Sequence, residues 1–286
     1  MLVPMSNRIV VAGLLLALTG CRTVAGTSGR IVHGAQADST GTAELVRELL
    51  EYDVVFLGEL HDSDEGHAFQ NEVTRRLGAE RPLVLSLEMF ERDVQIWLDA
   101  YLAGAMSEDE FLEVGRPWPN YAEHYRPAVE LARARGWPVL AANLPRPVAR
   151  DIARQGVEAV DSPWLPRGID SSEGPYKELF VEAMGGHGAG MESEQLDDWY
   201  AAQCAKDDAM AESIADWLVR STDPEPPLVV HWCGRFHSDF GLGTVERLQA
   251  RAPELKIAVV SMTRTDGGSP PPAELEAGDW VFVVRN

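Results

Sequence analysis

The sequence predicts an α/β fold with a mostly parallel central sheet, helices on both faces and a helical insertion that caps one rim. Short, largely apolar runs, typical of strands buried on both faces, alternate with segments that have helical spacing. This alternation is the pattern of a parallel sheet covered by helices. Between about residues 145 and 221 no convincing strand pattern occurs, which indicates the helical insertion.

The N-terminal segment has the features of an export signal. Residues 9–18 form an apolar run behind Arg8 that is too short to span a bilayer and is typical of a signal-peptide core. The run ends in Leu-Thr-Gly-Cys21, which resembles the lipobox of bacterial lipoproteins, where the cysteine is acylated and becomes the mature N-terminus. An ordinary secretory signal with a chance cysteine is the alternative, but the small residues before Cys21 favour lipidation.

This N-terminus sets the predicted domain organisation. We expect a signal peptide at residues 1–20, a lipid on Cys21, a flexible tether over residues 21–40 and a single domain over residues 41–286. By the lipoprotein resemblance, the lipid anchors the protein to a membrane of the cell envelope. Arginine rather than aspartate at position 22 favours the outer membrane.

The composition excludes one class of partner. The formal net charge is −20, and a chain this acidic repels nucleic acid.

Two further cysteines could form a disulfide bond. If Cys21 carries the lipid, Cys204 and Cys233 remain, and they can pair only with a Cα separation below about 7 Å.

The first half of the domain alternates three buried strands with helices. Ser107 and Glu110 have the spacing of a capping box that opens one helix, and Gly136 ends the next one. Asn120 with Glu123 is expected to cap the start of that second helix. The predicted elements are a helix at 42–50, a strand at 54–57, a helix at 65–77, a strand at 82–88, helices at 92–103, 107–114 and 121–135, and a strand at 138–143.

The second half begins with the helical insertion and then returns to alternation. Two short helices and a Pro-rich turn precede a long helix at about 193–220. The predicted elements after it are a strand at 228–233, a helix at 244–250, a strand at 255–262 and a strand at 279–284.

Polar side chains follow the ends of three predicted strands. The pattern Gly-x-x-His occurs twice, at residues 58–61 and 234–237, and it supplies Glu59, His61 and His237, while Glu88 ends a third strand. The carboxyl ends of parallel strands meet at one rim, where ligands collect. Such residues can hold a divalent metal with open positions, or act as a general base and its partner without metal. Each residue alone could simply cap a helix, but the convergence of four favours function.

These motifs resemble the large family that groups ChaN-type haem-binding lipoproteins with Tiki/TraB proteins and erythromycin esterases. The resemblance covers about residues 53–248 and is closer to ChaN. It implies either haem binding in iron acquisition or hydrolysis, which in some relatives depends on metal. The matching positions are Gly58-Glu-Leu-His61-Asp62, His67, Gln70, Leu87-Glu88-Met89-Phe90, Ala142-Asn143, Gln203, Asp207, Met210-Ala211, Gly234-Arg-Phe-His237 and Gly241-Leu-Gly243.

A haem-binding site requires an apolar slot for the porphyrin, an axial ligand for the iron and cations for the propionates. The expected axial ligands are Tyr121, Tyr125 and His187, and haem shared between two subunits would require a homodimer. Gln203 and Asp207 lie one helical turn apart and are expected to support the histidines from one helix face. Candidates for the slot walls are Met89, Phe90, Trp97, Trp118 and Trp164, and candidates for the cations are Arg235, Arg146 and Arg264.

The sequence thus predicts an envelope lipoprotein that binds haem, an iron porphyrin, for iron uptake or storage. The alternative is a hydrolase in which Glu59, Glu88, His61 and His237 activate water, with or without a divalent metal. A third reading is a surface module in which these residues are purely structural.

Overall fold

The computed structural model describes residues 29–34, 38–185, 193–221 and 226–285. The signal peptide, Cys21, most of the tether and His187 therefore lie outside the described residues. Within those residues eight strands form one sheet. The strands are β1 (Arg30–His33), β2 (Asp38–Thr40), β3 (Val54–Glu59), β4 (Leu83–Glu91), β5 (Val139–Asn143), β6 (Leu228–Gly234), β7 (Ile257–Thr265) and β8 (Trp280–Arg285).

The sheet is mixed and mostly parallel, which confirms the predicted fold class. Its strand order is β2-β1-β8-β7-β3-β6-β4-β5, and every pair from β8 to β5 is parallel. The edge strand β1 pairs antiparallel with β8 and with β2. The chain leaves β3 for β4 and later returns to insert β6 between them, so the strand order switches beside β3. In such a sheet, ligands bind beyond the carboxyl ends at this switch point.

Helices cover both faces of the sheet, and their positions match the predicted helices closely. Among the described residues, no helix has both the length and the apolar character needed to cross a membrane. The helices are α1 (Thr42–Leu49), α2 (Asp64–Glu80), α3 (Gln95–Leu102), α4 (Glu108–Gly115), α5 (Arg126–Arg135), α6 (Arg146–Gln155), α7 (Pro175–Met184), α8 (Ser193–Arg220), α9 (Thr244–Arg251) and α10 (Pro272–Leu275).

Alternating side chains of β3 supply two separate cores. Val55 and Leu57 pack on one face in a cluster that includes residues of α1, α2 and α5. Val54 and Phe56 point to the other face, where α8 and α9 cover them. Because both faces are buried, the strand is apolar at every position until Gly58, which is why its sequence reads as a continuous apolar run.

The capping signals read from the sequence were mostly correct. The Ser107 side chain accepts from the backbone N–H of Glu110, and the full capping box is formed. Gly136 ends α5 in the left-handed conformation. The expected cap at Asn120 is wrong, because its side chain makes no capping bond and instead contacts His124 and the backbone oxygen of His61.

The predicted tether extends too far toward the C-terminus. Residues 30–33 form β1, and Ile31 and Val32 are buried against the sheet. Ile31 and Val32 are only two apolar residues in a polar stretch, so the local sequence does not predict a strand. The strand forms because it pairs with β8, some 250 positions further along the chain. The tether boundary at residue 40 is therefore wrong within the described segment.

The insertion does more than cap the rim. The second half of α8 packs Ala211 and Ile214 on the sheet face, while its first half reaches the strand ends and contacts α7 through Tyr200 and Cys204. Cys204 and Cys233 are both buried and free, so they do not form the pair that the sequence left open.

Candidate functional site

Two loops interlock at the carboxyl ends of β3 and β6. Gly58 lies opposite Cys233 and Glu59 opposite Gly234 in the parallel register. A Cβ atom at Gly58 would lie 3.1 Å from the Cα of Arg235, and one at Gly234 would lie 2.8 Å from Nε2 of His61. Each Gly-x-x-His loop thus lets the other approach closely, which explains why the glycine occurs in both copies of the motif.

A substitution at Gly58 tests this close approach. Gly58→Ala should lower the free energy of unfolding by about 1–3 kcal/mol, because the new methyl group meets a neighbouring backbone that cannot rotate away. The measurement is urea denaturation. Gly168→Ala is the matched control, because a Cβ there meets no atom within 4 Å. Equal effects of the two variants would contradict the interlocked loops.

The first carboxylate–imidazole pair joins Glu59 to His61. Glu59 is buried, and His61 Nδ1 donates to its Oε1 at 2.8 Å. Gln70 donates to the other oxygen at 2.9 Å, and the Tyr125 hydroxyl also donates to the carboxylate. Partial burial lowers the pKa of His61, but the hydrogen bond to Glu59 and the charges of Glu88 and Glu59 outweigh it, so the pKa is raised. Its side chain remains 52% exposed.

The second group places His237 between two buried carboxylates. Its Nδ1 lies 2.7 Å from Asp207, and its Nε2 lies 3.4 Å from Glu88. Burial alone would lower the pKa of His237, but the charges and hydrogen bonds of Glu88 and Asp207 raise it to about 10. Burial would likewise raise the pKa of Glu88, but the charge and hydrogen bond of His237 hold it well below its usual range. At neutral pH the group is therefore an imidazolium between two carboxylates.

Asp207 is the anchor of this group. Besides His237, it accepts hydrogen bonds from the Tyr176 hydroxyl at 2.6 Å and from the Thr244 hydroxyl at 2.8 Å. Gln203, one turn earlier on α8, places its amide nitrogen within 3.4 Å of the His237 ring and 3.3 Å of the Tyr176 hydroxyl. The face of α8 that carries Gln203 and Asp207 thus looks toward the histidine, as the spacing of the two residues suggests.

A π-helix at Tyr121–Tyr125 shapes the side of the site next to His61. The sequence predicts an ordinary helix here, but the wider turn brings the Tyr125 hydroxyl onto Glu59. It also stacks His124 on His67, with ring centroids 4.0 Å apart and planes 16° apart. π-Helical turns are rare and are frequently found at functional sites. The two stacked rings line a cavity of about 690 Å³ between α2 and α5.

The two tyrosines predicted as axial haem ligands are both buried in the structure. Tyr121 is buried in the core, and its hydroxyl has no hydrogen-bond partner among the described residues. Tyr125 is also buried, and burial together with the charge of Glu59 raises the pKa of its phenol far above the usual range. Neither tyrosine side chain is exposed in this structure, and His187 lies outside the described residues, so the choice among the three as axial ligand stays a prediction.

The predicted slot walls and cations are only partly at the site. Trp118 packs edge-on against His61, with ring centroids 4.9 Å apart. Met89 and Phe90 are wrong as slot walls because both are buried in the core, Trp97 is a half-exposed side chain of α3, and Trp164 lines a different cavity beside β5.

Each predicted cation already has an acidic partner. Arg235 pairs with Asp239 at 2.6 Å and with Glu274 at 2.7 Å, so two carboxylates already hold its guanidinium group. Arg146 lies 3.3 Å from Glu91. Arg264 pairs with Asp62, the residue after His61, at 2.6 Å, so it is the predicted cation that lies beside the histidine.

No preformed metal ligand set is evident. Within the described ranges, no group of three or more His, Cys, Asp or Glu residues is arranged to hold a metal ion.

The sequence analysis did not predict several residues of the site. Tyr176 and Thr244 contact Asp207 from α7 and α9, and His231 lies buried beneath the group, bonded to Ser86 at 2.8 Å. These contacts join segments far apart in the chain, and no local pattern marks them.

Solved structures share this fold. ChaN of Campylobacter jejuni, described in complex with cofacial haem, aligns over 89% of this chain and 96% of its own, with 20% identity and a TM-score of 0.65. The erythromycin esterase EreC in its open conformation aligns over 88% of this chain and 97% of its own, with 12% identity and a TM-score of 0.50. At these identities the likeness concerns the fold. No curated protein matches the chain.

The family model gives the assignment. The model for haem-binding uptake proteins of the ChaN type, in the Tiki superfamily, matches residues 45–248. This range contains both Gly-x-x-His loops, Glu88 and the α8 face that carries Asp207. The chain therefore belongs to the ChaN family of haem-binding uptake proteins within the Tiki superfamily.

Proposed function

We propose that this chain binds haem at the rim of the sheet, with His61 as the axial ligand of the iron. The observation that carries the proposal is the half-exposed imidazole whose Nδ1 is tied to a buried carboxylate. Iron-ligating histidines commonly donate their other ring N–H to a carboxylate, which fixes the ring and makes the free nitrogen a better donor. Nε2 of His61 is then the nitrogen that remains for the iron.

The residues around His61 fit a porphyrin. When bound, haem supplies an iron that takes an axial nitrogen ligand, an apolar ring and two propionates. Trp118, edge-on to His61, offers an apolar wall. Arg264 pairs with the exposed Asp62, the residue after His61, and is the nearby cation that could turn to a propionate. His237 does not compete for the iron, because it is buried and both of its ring nitrogens already face carboxylates, Asp207 at 2.7 Å and Glu88 at 3.4 Å.

The physiological role that we propose is haem uptake or storage at the cell envelope. It rests on the family assignment and on the lipobox-like Cys21, which would anchor the chain to the outer membrane. Cofacial haem is described for ChaN of Campylobacter jejuni. We therefore propose that a homodimer of this chain also brings two haems face to face.

The experiment is a haemin titration of the chain from Arg22 onward, followed by visible absorbance. We expect a saturable Soret shift at fixed stoichiometry, and His61→Ala should weaken haemin binding at least tenfold because the iron loses its nitrogen ligand. His33→Ala, on the edge strand β1, is the matched control and should leave the titration unchanged. A spectrum that only adds free haemin would contradict haem binding.

A further variant separates two locations for the haem. His124→Ala removes the imidazole that lines the cavity between α2 and α5. If this variant, and not His61→Ala, abolishes the Soret shift, haem lies in the cavity and the assignment of His61 is wrong.

A second candidate function is ester or lactone hydrolysis without metal. The observation in its favour is the imidazolium of His237 beside the Glu59-oriented His61. Water would add to the carbonyl carbon while His61 accepts its proton, and His237 would give its proton to the departing alkoxide. In that case a panel of p-nitrophenyl esters and lactones should be cleaved, with His61→Ala and His237→Gln each losing activity at least a hundredfold. Absence of turnover by the wild-type chain would contradict it.

A further inference from the structure

A second groove lies beside the edge strand β5, away from the strand-end histidines. Its volume is about 440 Å³, which is toward the small end for ligand pockets. Two tryptophans contribute flat apolar surface, and planar polar side chains stand next to them. Its principal lining residues are Arg92, Gln95, Asp99, Trp164, Ser213 and Trp217.

The groove does not fit an added peptide strand. The outer edge of β5 is already occupied by the Gln95 side chain, whose Nε2 donates to the oxygen of Val139 at 2.8 Å and whose Oε1 accepts from the N–H of Ala141 at 2.7 Å. Ser213 donates to the oxygen of Ala142 at 3.2 Å. With these backbone groups bonded to side chains, strand addition would have to break existing hydrogen bonds.

The charges around the groove disfavour an anion. Arg92 lies 3.2 Å from Glu212, and Arg220 lies 3.3 Å from Asp216, so both guanidinium groups are paired. Asp99 adds a further carboxylate that receives only a hydrogen bond from Gln95. Arg167 also pairs with Glu212 and with Asp216, so three guanidinium groups balance three carboxylates here. No unpaired guanidinium among the described lining residues is left to hold a phosphate.

The donors and surfaces that remain match a neutral polyhydroxylated molecule. Trp164 is 39% exposed, and Trp217 lines the same groove, so their indole rings offer flat apolar surface and an N–H donor each. A sugar ring presents C–H faces that pack on an indole and hydroxyl groups that both donate and accept. The second oxygen of Asp99 and the indole N–H groups supply an acceptor and donors for such hydroxyls.

We propose that this groove is a binding site for a neutral sugar of one or two rings. The Arg92–Glu212 pair, in which Arg92 also donates to the backbone oxygen of Trp164 at 3.3 Å, fixes the polar wall before the ligand arrives. Preorganisation of this kind reduces the entropy lost on binding, which matters for a small ligand with few contacts.

The test is saturation-transfer-difference NMR on the whole chain from Arg22 onward, with N-acetylglucosamine, glucose and maltose as probes. At least one probe should give a saturable signal, and Trp164→Ala and Asp99→Asn should each weaken its binding at least fivefold. Trp199→Ala is the matched control, because this tryptophan of α8 is 37% exposed and does not line the groove. It should leave the signal unchanged.

Two results would overturn the proposal. One is the absence of a saturable signal from all three sugars, and the other is a signal that Trp199→Ala reduces as much as Trp164→Ala. Because the groove does not include His61, His61→Ala should bind the sugar normally, so failure of haem binding and failure of sugar binding are separate outcomes.

Discussion

Replacing Asp207 with alanine is expected to lower the free energy of unfolding by about 3–5 kcal/mol, because it removes one partner of a buried ion pair. The carboxylate is fully buried and accepts from His237, Tyr176 and Thr244. Its loss leaves two hydroxyl groups without their acceptor and removes the charge that, with Glu88, holds the imidazolium.

Urea denaturation measures this effect, and Asp197→Ala on the same helix is the matched control. Asp197 is largely exposed and pairs only with Lys177, so its removal should cost less than about 1 kcal/mol. The double variant Asp207→Ala/His237→Ala should be less destabilised than the sum of the two single variants, because neither charge is then left alone. Additive losses, or an Asp207→Ala loss as small as that of the control, would contradict the arrangement.

The second large effect is on pH dependence. His237 has an ordinary pKa of 6.5 and a pKa raised to about 10 in the folded chain. The folded state therefore holds this proton more tightly, and the resulting stability is fully present below pH 6.5 and is lost as the pH rises toward 10. For one proton the slope approaches about 1.4 kcal/mol per pH unit in that window.

Two measurements check the titration. Urea denaturation at intervals between pH 6.5 and 9.5 should show the falling stability, and ¹⁵N-histidine NMR should show one ring that stays doubly protonated up to about pH 10. The His237→Gln spectrum assigns that signal by its disappearance. A His237 ring that loses its proton near pH 6.5 would show that the two carboxylates do not hold an imidazolium.

The sequence predicted the central strands well because their residues are buried on both faces. Mostly apolar runs identify β3, β4, β5 and β6 directly, although Ser86 interrupts the run of β4 and His231 that of β6. The edge strand β1 was missed because it is short and lies in a polar stretch, and its stability comes from pairing with β8 near the other end of the chain.

The candidate site was predictable where it follows strand ends and where Gln203 and Asp207 share one face of α8. Glu59, His61, Glu88 and His237 come together because parallel strands end at one rim. The sequence does not show where a tyrosine hydroxyl points, because a tyrosine on a helix looks the same whether its hydroxyl faces a ligand or, like that of Tyr125, a buried carboxylate. Tyr176 could not be anticipated, since its contact with Asp207 depends on how α7 packs against α8.

The central claim is that His61 binds haem iron, and the most direct measurement is electron–nuclear double resonance on the ferric haem complex of protein labelled with ¹⁵N-histidine. We expect a strong hyperfine coupling from one imidazole nitrogen in the wild-type chain and its loss in His61→Ala. A complex that shows no histidine coupling, or one whose coupling persists in His61→Ala, would contradict the account.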